Sequence, residues 1–225
     1  ITTLRSHRDS TVPPGSRAVG AKSGSWRPGG ARRALAPGTQ PVQGGRMTTV
    51  GVVLAAGAGT RYGAPKILAH DGLWLDLAVR ALREGGCDEV LVVVGAAAPE
   101  MPPGAQAVVN DEWRTGMGSS VRVGLQACET TDADLAVLHL VDTPDIGAEV
   151  VGRVLDHAAS TGIARATFDD TPGHPVVLAR RWWVEVAEAA TGDQGARTFL
   201  RGNPDVITVE CGDLATGRDH DRPSP

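Results

Sequence analysis

The chain has 225 residues and a formal net charge of −4, and the charge is unevenly distributed along it. Residues 1–46 carry eight Lys and Arg side chains and one acid, whereas the other 179 residues carry 14 basic and 25 acidic side chains. An acidic body with only 4% aromatic residues argues against nucleic-acid binding, which favours basic surfaces and stacking rings. Because no apolar run approaches the roughly 20 residues of a membrane helix, we expect a cytoplasmic protein without a membrane span.

The basic head is rich in Gly, Pro and Ser and has no apolar run that could offset the entropy of ordering, so we predict that it is disordered. Met47 is followed by two threonines and an apolar run, as a native start would be, and residues 43–46 can be encoded by a purine-rich stretch like a ribosome-binding site. We interpret residues 1–46 as a leader that is not native coding sequence, with a disordered tail or a polyanion-binding arm as alternatives. Residues 47–225 then form a single domain.

Strand and helix patterns alternate along this domain. The first strand covers residues 50–55, the first helix residues 74–84 and the second strand residues 89–95. Further strands are expected at 106–109, 134–141, 163–168, 175–178 and 206–210, and further helices at 119–128, 148–160, 181–190 and 196–201. This order predicts a three-layer α/β/α fold with a mostly parallel, Rossmann-like sheet, in which ligands bind at the carboxyl ends of the strands.

The loop after the first strand reads LAAGAGTRYGAPK. The spacing of Gly57, Gly59 and Gly63 does not match the dinucleotide fingerprint, and Lys66 stands too far beyond Gly63 for a P-loop. The two positive charges, Arg61 and Lys66, suit a triphosphate of about four negative charges better than a pyrophosphate, which backbone amides can hold alone. The loop therefore predicts a nucleoside triphosphate site, and an ordinary turn with surface charges is the alternative.

Two further sites carry acids that could bind a metal. Asp142 follows an apolar strand, where a carboxylate could hold Mg²⁺ against phosphate oxygens, although the same position also suits a helix cap. Asp219 and Asp221, near the C-terminus, are candidates for the second acid of such a site.

A set of motifs in this order resembles one known family. The loop motif LAAGxxxRxGxxK looks like the opening of the nucleotidyltransferases related to the molybdenum-cofactor guanylyl- and cytidylyltransferases, and the resemblance covers nearly all of residues 49–223. The later motifs are GMGSS at 116–120, VDTP at 141–144, GHP at 173–175, GDQGAR at 192–197 and DHDRP at 219–223. Together they are similar to the molybdenum-cofactor cytidylyltransferases of the MobA-like NTP transferase family. Ala56, where the guanylyl type usually has Gly, favours CTP over GTP.

This resemblance implies a sheet of the nucleotide-diphospho-sugar transferase type and Mg²⁺-dependent transfer of CMP from CTP to molybdopterin, with release of pyrophosphate. The residues implied to bind the nucleotide are Leu54, Ala55, Ala56, Gly57, Gly59, Arg61, Lys66, Gly118, Ser119 and Ser120. Catalysis is assigned to Arg61, Lys66 and Asp142, the metal to Asp142 and Asp219, and the acceptor to His174, Asp193 and Arg197.

The chain departs from the family pattern at three points. Thr143 stands where Gln is more frequent, Arg222 replaces the usual Thr, and the sequence ends at Pro225 before the customary helix. Either Asp219 or Asp221 could therefore complete the metal site, and a frayed acidic tail is the alternative.

Four other functions remain open: transfer to another phosphorylated acceptor, use of GTP, a nicotinamide oxidoreductase, and a non-catalytic carrier of molybdopterin or its dinucleotide. We expect a monomer that makes transient contact with a molybdoenzyme or its maturation factor.

Overall fold

The described residues form one sheet of seven strands, and the first strand along the chain is fully buried. The structure is a computed structural model that describes residues 46–222, so the predicted leader lies outside the described residues except for Arg46. Strand β1 spans Thr49–Leu54 and is buried along its whole length, as its continuous apolar run predicts. The other strands are β2 Glu89–Val94, β3 Ala105–Val109, β4 Leu135–Leu140, β5 Ile163–Phe168, β6 Thr171–Ala179 and β7 Ile207–Glu210.

The strands form one sheet in the order β3-β2-β1-β4-β6-β5-β7. Neighbouring strands run parallel except at β6, which is antiparallel to both β4 and β5. The mostly parallel α/β class predicted from the sequence is therefore confirmed. Strand β2 lies on one side of β1 and β4 on the other, so the chain reverses its direction of travel across the sheet at β1, where α/β sheets open a ligand crevice.

Helices cover both faces of the sheet and complete the three layers. They are α1 Leu73–Glu84, α2 Met117–Glu129, α3 Ala148–Ala158, α4 Trp183–Ala189 and α5 Arg197–Gly202. Helices α1 and α3 pack on one face through side chains such as Leu82 and Val151, and α2, α4 and α5 pack on the other through Leu125, Trp183 and Leu200. No helix of the described residues has the length and apolar character needed to cross a membrane.

Two glycines allow helices to approach β1 closely from both sides. A Cβ atom at Gly51 would lie 2.8 Å from Cδ1 of Leu82 in α1, and a Cβ atom at Gly124 in α2 would lie 2.7 Å from Cγ1 of Val52. Both distances are well below normal contact, so larger residues would push the helices outward. This close packing fixes β1, and with it the start of the glycine-rich loop.

The structure differs from the predicted elements at the start of β6 and at the start of α2. Strand β6 begins at Thr171, four residues before the predicted start, because β5 and β6 form a hairpin whose turn residues Asp169 and Asp170 have positive φ. Helix α2 begins at Met117, so Ser119 and Ser120 lie inside its first turn, and no side chain caps the helix.

Candidate active site

The glycine-rich loop is closed by a tight turn around Gly59. The carbonyl of Gly59 accepts hydrogen bonds from the backbone N–H groups of Tyr62 (2.9 Å) and Gly63 (2.8 Å). Gly59 has a φ of +60°, and a Cβ atom there would lie 1.9 Å from the carbonyl oxygen of Ala64. Only glycine fits this position, whereas a Cβ atom at Gly57 would meet nothing within 4 Å. The strand end before the loop, Leu54, Ala55 and Ala56, is buried.

Lys66, at the end of this loop, lies between two carboxylates. Its ammonium nitrogen is 2.6 Å from Oδ2 of Asp142, which follows β4, and 2.8 Å from Oδ1 of Asp221. The other oxygen of Asp221 accepts a hydrogen bond from Arg61 at 2.8 Å. The fold thus brings both loop cations and two of the predicted acids to one edge of the sheet, and the pairing with Asp221 was not predicted.

Three pKa shifts follow from this arrangement. Burial acts to lower the pKa of Lys66, but its hydrogen bonds to Asp142 and Asp221 outweigh burial and raise it. The hydrogen bond from Lys66 holds the pKa of Asp221 below its usual range. Asp219 behaves oppositely: burial raises its pKa, and the negative charge of Asp142 raises it further. Asp219 is therefore a partly desolvated carboxylate beside another carboxylate, with no ion pair among the described residues.

The carboxylates around Asp142 supply some, but not all, of the ligands that Mg²⁺ needs. Within residues 46–222 no group of three or more His, Cys, Asp or Glu side chains is arranged to hold a metal. Mg²⁺, however, is usually held by one or two carboxylates together with water and substrate phosphates. Asp142 and Asp219 supply hard oxygen donors, and the raised pKa of Asp219 indicates that a nearby cation would stabilise its charged form. The two residues therefore fit an ion that substrate phosphates help to bind.

Several contacts fix the C-terminal segment that carries Asp219. The backbone N–H of His220 donates to the carbonyl of Asp142 at 3.0 Å, and its ring lies 5.3 Å from the ring of Trp74. Farther back, the carboxylate of Asp145 accepts three hydrogen bonds from residues 216–217. The segment up to residue 222 is thus anchored, and the alternative of a frayed acidic tail does not describe these residues.

The segment that begins α2 packs closely against residues 190–193. A Cβ atom at Gly116 would lie 2.7 Å from Oδ1 of Asp193, and one at Gly118 would lie 2.8 Å from the backbone of Ala190. The hydroxyls of Ser119 and Ser120 both accept hydrogen bonds from the side-chain amide of the buried Asn110, at 2.9 and 3.1 Å. The segment is held rigidly by these contacts. Helix α5 has no side-chain cap, so Asp193 does not cap it.

A cavity of about 610 Å³ extends from Asp219 beneath the β5–β6 hairpin. The three residues assigned to the acceptor, His174, Asp193 and Arg197, all line it, together with Gly173 and the apolar side chains Leu54, Leu138, Leu140, Phe168 and Leu200. Nδ1 of His174 lies 3.3 Å from the carbonyl of Leu138, so Nδ1 carries the proton in the neutral ring. Burial lowers the pKa of His174 to about 4, so the ring is neutral at physiological pH.

Among the cavity residues that sequence reasoning missed is Arg165 of β5. The strand reads IARATF, and a single Arg in a short apolar strand resembles an edge residue that faces solvent. No local signal marks it, because its place in the cavity depends on the position of β5 between β6 and β7.

The comparisons with known proteins agree with this geometry. Residues 51–207 match the MobA-like NTP transferase domain. Nicotine blue oxidoreductase of Paenarthrobacter nicotinovorans is 38% identical over 187 residues, which are 76% of this chain and 91% of that protein. The chain is thus similar to a protein named for redox chemistry although its domain family is named for nucleotide transfer.

Solved structures with the same fold come from Mycobacterium tuberculosis H37Rv. Rv0371c superposes with a TM-score of 0.65 and 28% identity, over 77% of this chain and 93% of that one. A complex of Rv0371c with manganese superposes with a TM-score of 0.59 and 29% identity, over 73% of this chain and 88% of that one. The chain belongs to the MobA-like NTP transferase family, the nucleotidyltransferase family that its motifs resemble.

Proposed function

We propose that the protein transfers CMP from CTP to the terminal phosphate of molybdopterin or a closely similar phosphorylated acceptor, and releases pyrophosphate. The observation that carries this proposal is the meeting of Arg61, Lys66 and Asp142, with Asp219 beside them, at the carboxyl edge of β1 and β4. Cations for a triphosphate and carboxylates for a divalent ion are both needed where phosphoryl oxygens bind.

The glycine-rich loop would bind the triphosphate. Its small residues allow close approach of the backbone, and Arg61, whose side chain is 75% exposed, can turn toward the β and γ phosphates. Lys66 is only 14% exposed and would serve the α-phosphate, near the atom at which charge develops. Both cations also bond to the carboxylate of Asp221, so the phosphates would have to replace these ion pairs.

Asp142 and Asp219 would hold Mg²⁺, which neutralises the charge of the phosphates in such reactions. This assignment is supported by the position of Asp219, a partly desolvated acid close to Asp142, and by the manganese complex of Rv0371c as a related structure. Asp221 is instead assigned to the cations of the loop. On this proposal Lys66 remains near Asp142 and orients its carboxylate.

The transfer itself needs no covalent intermediate on the protein. An oxygen of the acceptor phosphate attacks the α-phosphorus of CTP. The bond from that phosphorus to the oxygen that bridges the α and β phosphates breaks, and pyrophosphate leaves with the bonding electrons. The residues act by aligning the two phosphates and by stabilising the negative charge that moves to the leaving group. The nucleoside would lie against the rigid segment of Gly118, Ser119 and Ser120, and the acceptor against His174, Asp193 and Arg197 in the cavity.

The choice of CTP over GTP is supported by Ala56, a buried residue just after β1 that stands where the guanylyl type usually has Gly. The decisive experiment is a panel of pyrophosphate-release assays that pairs CTP, GTP, ATP and UTP with molybdopterin and with simpler phosphorylated acceptors. We expect release with CTP and molybdopterin and little with the other pairs. Release with every nucleotide but no dependence on the acceptor would contradict the proposal.

A second candidate is an NADH- or NADPH-dependent reductase, because a 38% identical relative is named nicotine blue oxidoreductase. In that reaction the nicotinamide would give a hydride to an organic substrate, and the medium would supply a proton. The glycine spacing and the paired loop cations favour the transferase. The test mixes the protein with nicotine blue and NADH or NADPH and measures the loss of the cofactor's absorbance. Rapid oxidation of the cofactor, together with no release of pyrophosphate from nucleotides, would favour the reductase.

The setting of the reaction is proposed on the same basis. A cytoplasmic monomer would deliver its product by transient contact with a molybdoenzyme or its maturation factor.

A further inference from the structure

Arg165 is one of three charged residues of the cavity that the proposed mechanism does not use, with Asp169 and Arg218. It lies on β5, and its side chain lines the cavity together with Leu138, Val176 and Leu200. Its guanidinium makes one long hydrogen bond, from Nη2 to the carbonyl of Gly173 at 3.4 Å. Its Nε is buried and has no hydrogen-bond partner among the described residues. A guanidinium with an unused buried donor is costly unless a ligand satisfies it.

A second cation, Arg197, stands close to Arg165. The two like charges disfavour each other, and together with burial, which has the larger effect, Arg197 lowers the pKa of Arg165. Within residues 46–222 neither arginine has a carboxylate within 4.0 Å, although five other arginines of these residues do. An anion between two neighbouring guanidiniums would relieve their repulsion and accept charge-assisted hydrogen bonds from both.

The register of the sheet separates Arg165 from the proposed metal site. Arg165 lies opposite Val176 of β6, which in turn lies opposite Leu138 of β4, four residues before Asp142. With a strand rise of about 3.3 Å and a strand spacing of about 4.8 Å, the Cα atoms of Arg165 and Asp142 are roughly 16 Å apart. The charge of Arg197 acts on both Arg165 and Asp219. Arg165 therefore faces a part of the acceptor remote from the reacting phosphate.

From these observations we propose that Arg165 and Arg197 form an oxyanion clamp that binds a second anionic group of the acceptor, at the end of the cavity away from Asp142. The clamp rests on the proposed function and narrows it, because it makes Arg165 a specificity-determining residue for an oxyanion apart from the phosphate that is nucleotidylated. Molybdopterin has a single phosphate, so this group would be an oxygen of molybdate bound at its dithiolene or, in a closely similar acceptor, a second phosphate or a carboxylate. Two guanidiniums suit such a group because each offers parallel N–H donors to two oxygens.

The neutral ring of His174 adds direction to this clamp. Its Nδ1 faces the carbonyl of Leu138, so Nε2 can only accept a hydrogen bond. The part of the cavity around Arg165 thus offers two cationic donors and one neutral acceptor between apolar walls. An acceptor with an oxyanion next to an N–H or O–H group matches this set.

The test measures anion binding to the intact protein without nucleotide, by calorimetry and by thermal unfolding. The probes are inorganic phosphate and malonate, which distinguish a phosphate site from a carboxylate site. We expect Arg165→Met and Arg197→Met each to weaken binding of the preferred probe about ten-fold or more, as loss of a charge-assisted hydrogen bond predicts. Arg61→Met, in the nucleotide loop, should retain this binding, and Arg80→Met, on α1 and outside the cavity, controls for the loss of one charge.

The same variants separate a binding role from a structural one. Because Arg165 is half-buried beside a like charge, Arg165→Met should raise the Tm in anion-free buffer and abolish the rise that the probe causes in the wild type. If Arg165→Met does not fold, Arg165→Gln replaces it, since Gln removes the charge and can still donate to Gly173. Unchanged probe binding in these variants, or loss of binding in Arg61→Met alone, would overturn the clamp.

This inference rests on the proposed function for its acceptor but not for its measurement. Should pyrophosphate release fail with every acceptor while the probe still binds through Arg165, the clamp stands and the transferase proposal falls. Should pyrophosphate be released normally and Arg165→Met leave the acceptor KM unchanged, the transferase stands and the clamp falls.

Discussion

The ammonium of Lys66 lies 2.6 Å from the carboxylate of Asp142, although the two residues follow different strands and are 76 positions apart. The pair exists because β1 and β4 are adjacent and parallel, so both strands deliver their following residues to the same edge. It brings together a cation that a phosphate needs and an anion that a metal needs, and it is the centre of the proposed site.

Replacement of Asp142 tests the metal assignment. Asp142→Asn should leave the fold intact, because Asp221 still pairs with Lys66. We expect pyrophosphate release to fall by at least about 100-fold, as for the loss of one group that stabilises the transition state. Steady-state assays over a range of Mg²⁺ concentrations measure this, with Asp156→Asn on the exposed side of α3 as a charge control. Normal Mg²⁺-dependent release by Asp142→Asn would refute the assignment.

The two acids of the C-terminal motif should respond differently. Asp221→Asn removes the ion pair of Arg61 and one of the two ion pairs of Lys66, so CTP should bind roughly two- to five-fold more tightly without Mg²⁺, in proportion to a partly exposed ion pair. Asp219→Asn should abolish Mg²⁺-dependent turnover. Calorimetry for binding and pyrophosphate assays for turnover separate the two roles. If Asp221→Asn is the inactive variant and Asp219→Asn the active one, the assignment of the metal ligand is reversed.

The glycine-rich loop offers a matched pair of substitutions. Gly59→Ala places a Cβ atom 1.9 Å from the carbonyl of Ala64 at a φ of +60°, whereas Gly57→Ala meets nothing within 4 Å. A non-glycine residue held in such a conformation costs on the order of 1–3 kcal/mol. The loop of Gly59→Ala should therefore shift away from its binding geometry and weaken CTP binding about ten-fold, and Gly57→Ala should weaken it much less. Equal affinities for the two variants would contradict the loop geometry.

One buried histidine and one partly buried histidine make the fold sensitive to acid. Burial lowers the pKa of His139 to about 3 and that of His174 to about 4, from 6.5 for an ordinary histidine. The unfolded chain therefore takes up protons first, so stability is complete above pH 6.5 and falls as pH decreases toward 4, by about 1 kcal/mol per pH unit for each histidine. Urea unfolding at several pH values measures this decline.

The variant His139→Leu isolates one of these groups. Neither ring nitrogen of His139 has a hydrogen-bond partner in the described structure, so Leu removes no hydrogen bond there. We expect His139→Leu to be at least as stable as the wild type at pH 7.5 and to lose less stability at pH 5. An identical pH profile for the two proteins would show that His139 does not titrate as described.

The sequence predicted most of the fold because its signals are local. The apolar run of β1, the periodicity of α1 and the glycines that follow β1 are all visible within a few residues. What it did not predict depends on distant pairing. The ion pairs of Asp221 with Arg61 and Lys66 depend on where the C-terminal segment returns, and the position of Arg165 depends on the register of three strands.

The anchored C-terminal segment has a consequence for how the site is assembled. Arg61 and Asp221 are 160 residues apart, so the loop of chain closed by this contact spans nearly the whole domain. Contacts between such distant residues carry a large entropic cost and form late in folding. During synthesis, the sheet around β1 can form before Asp219 and Asp221 are added, so on the proposed assignment the site is complete only when residues 219–221 dock beside Asp142. Catalytic activity would therefore report the docking of this segment more strictly than helical content does.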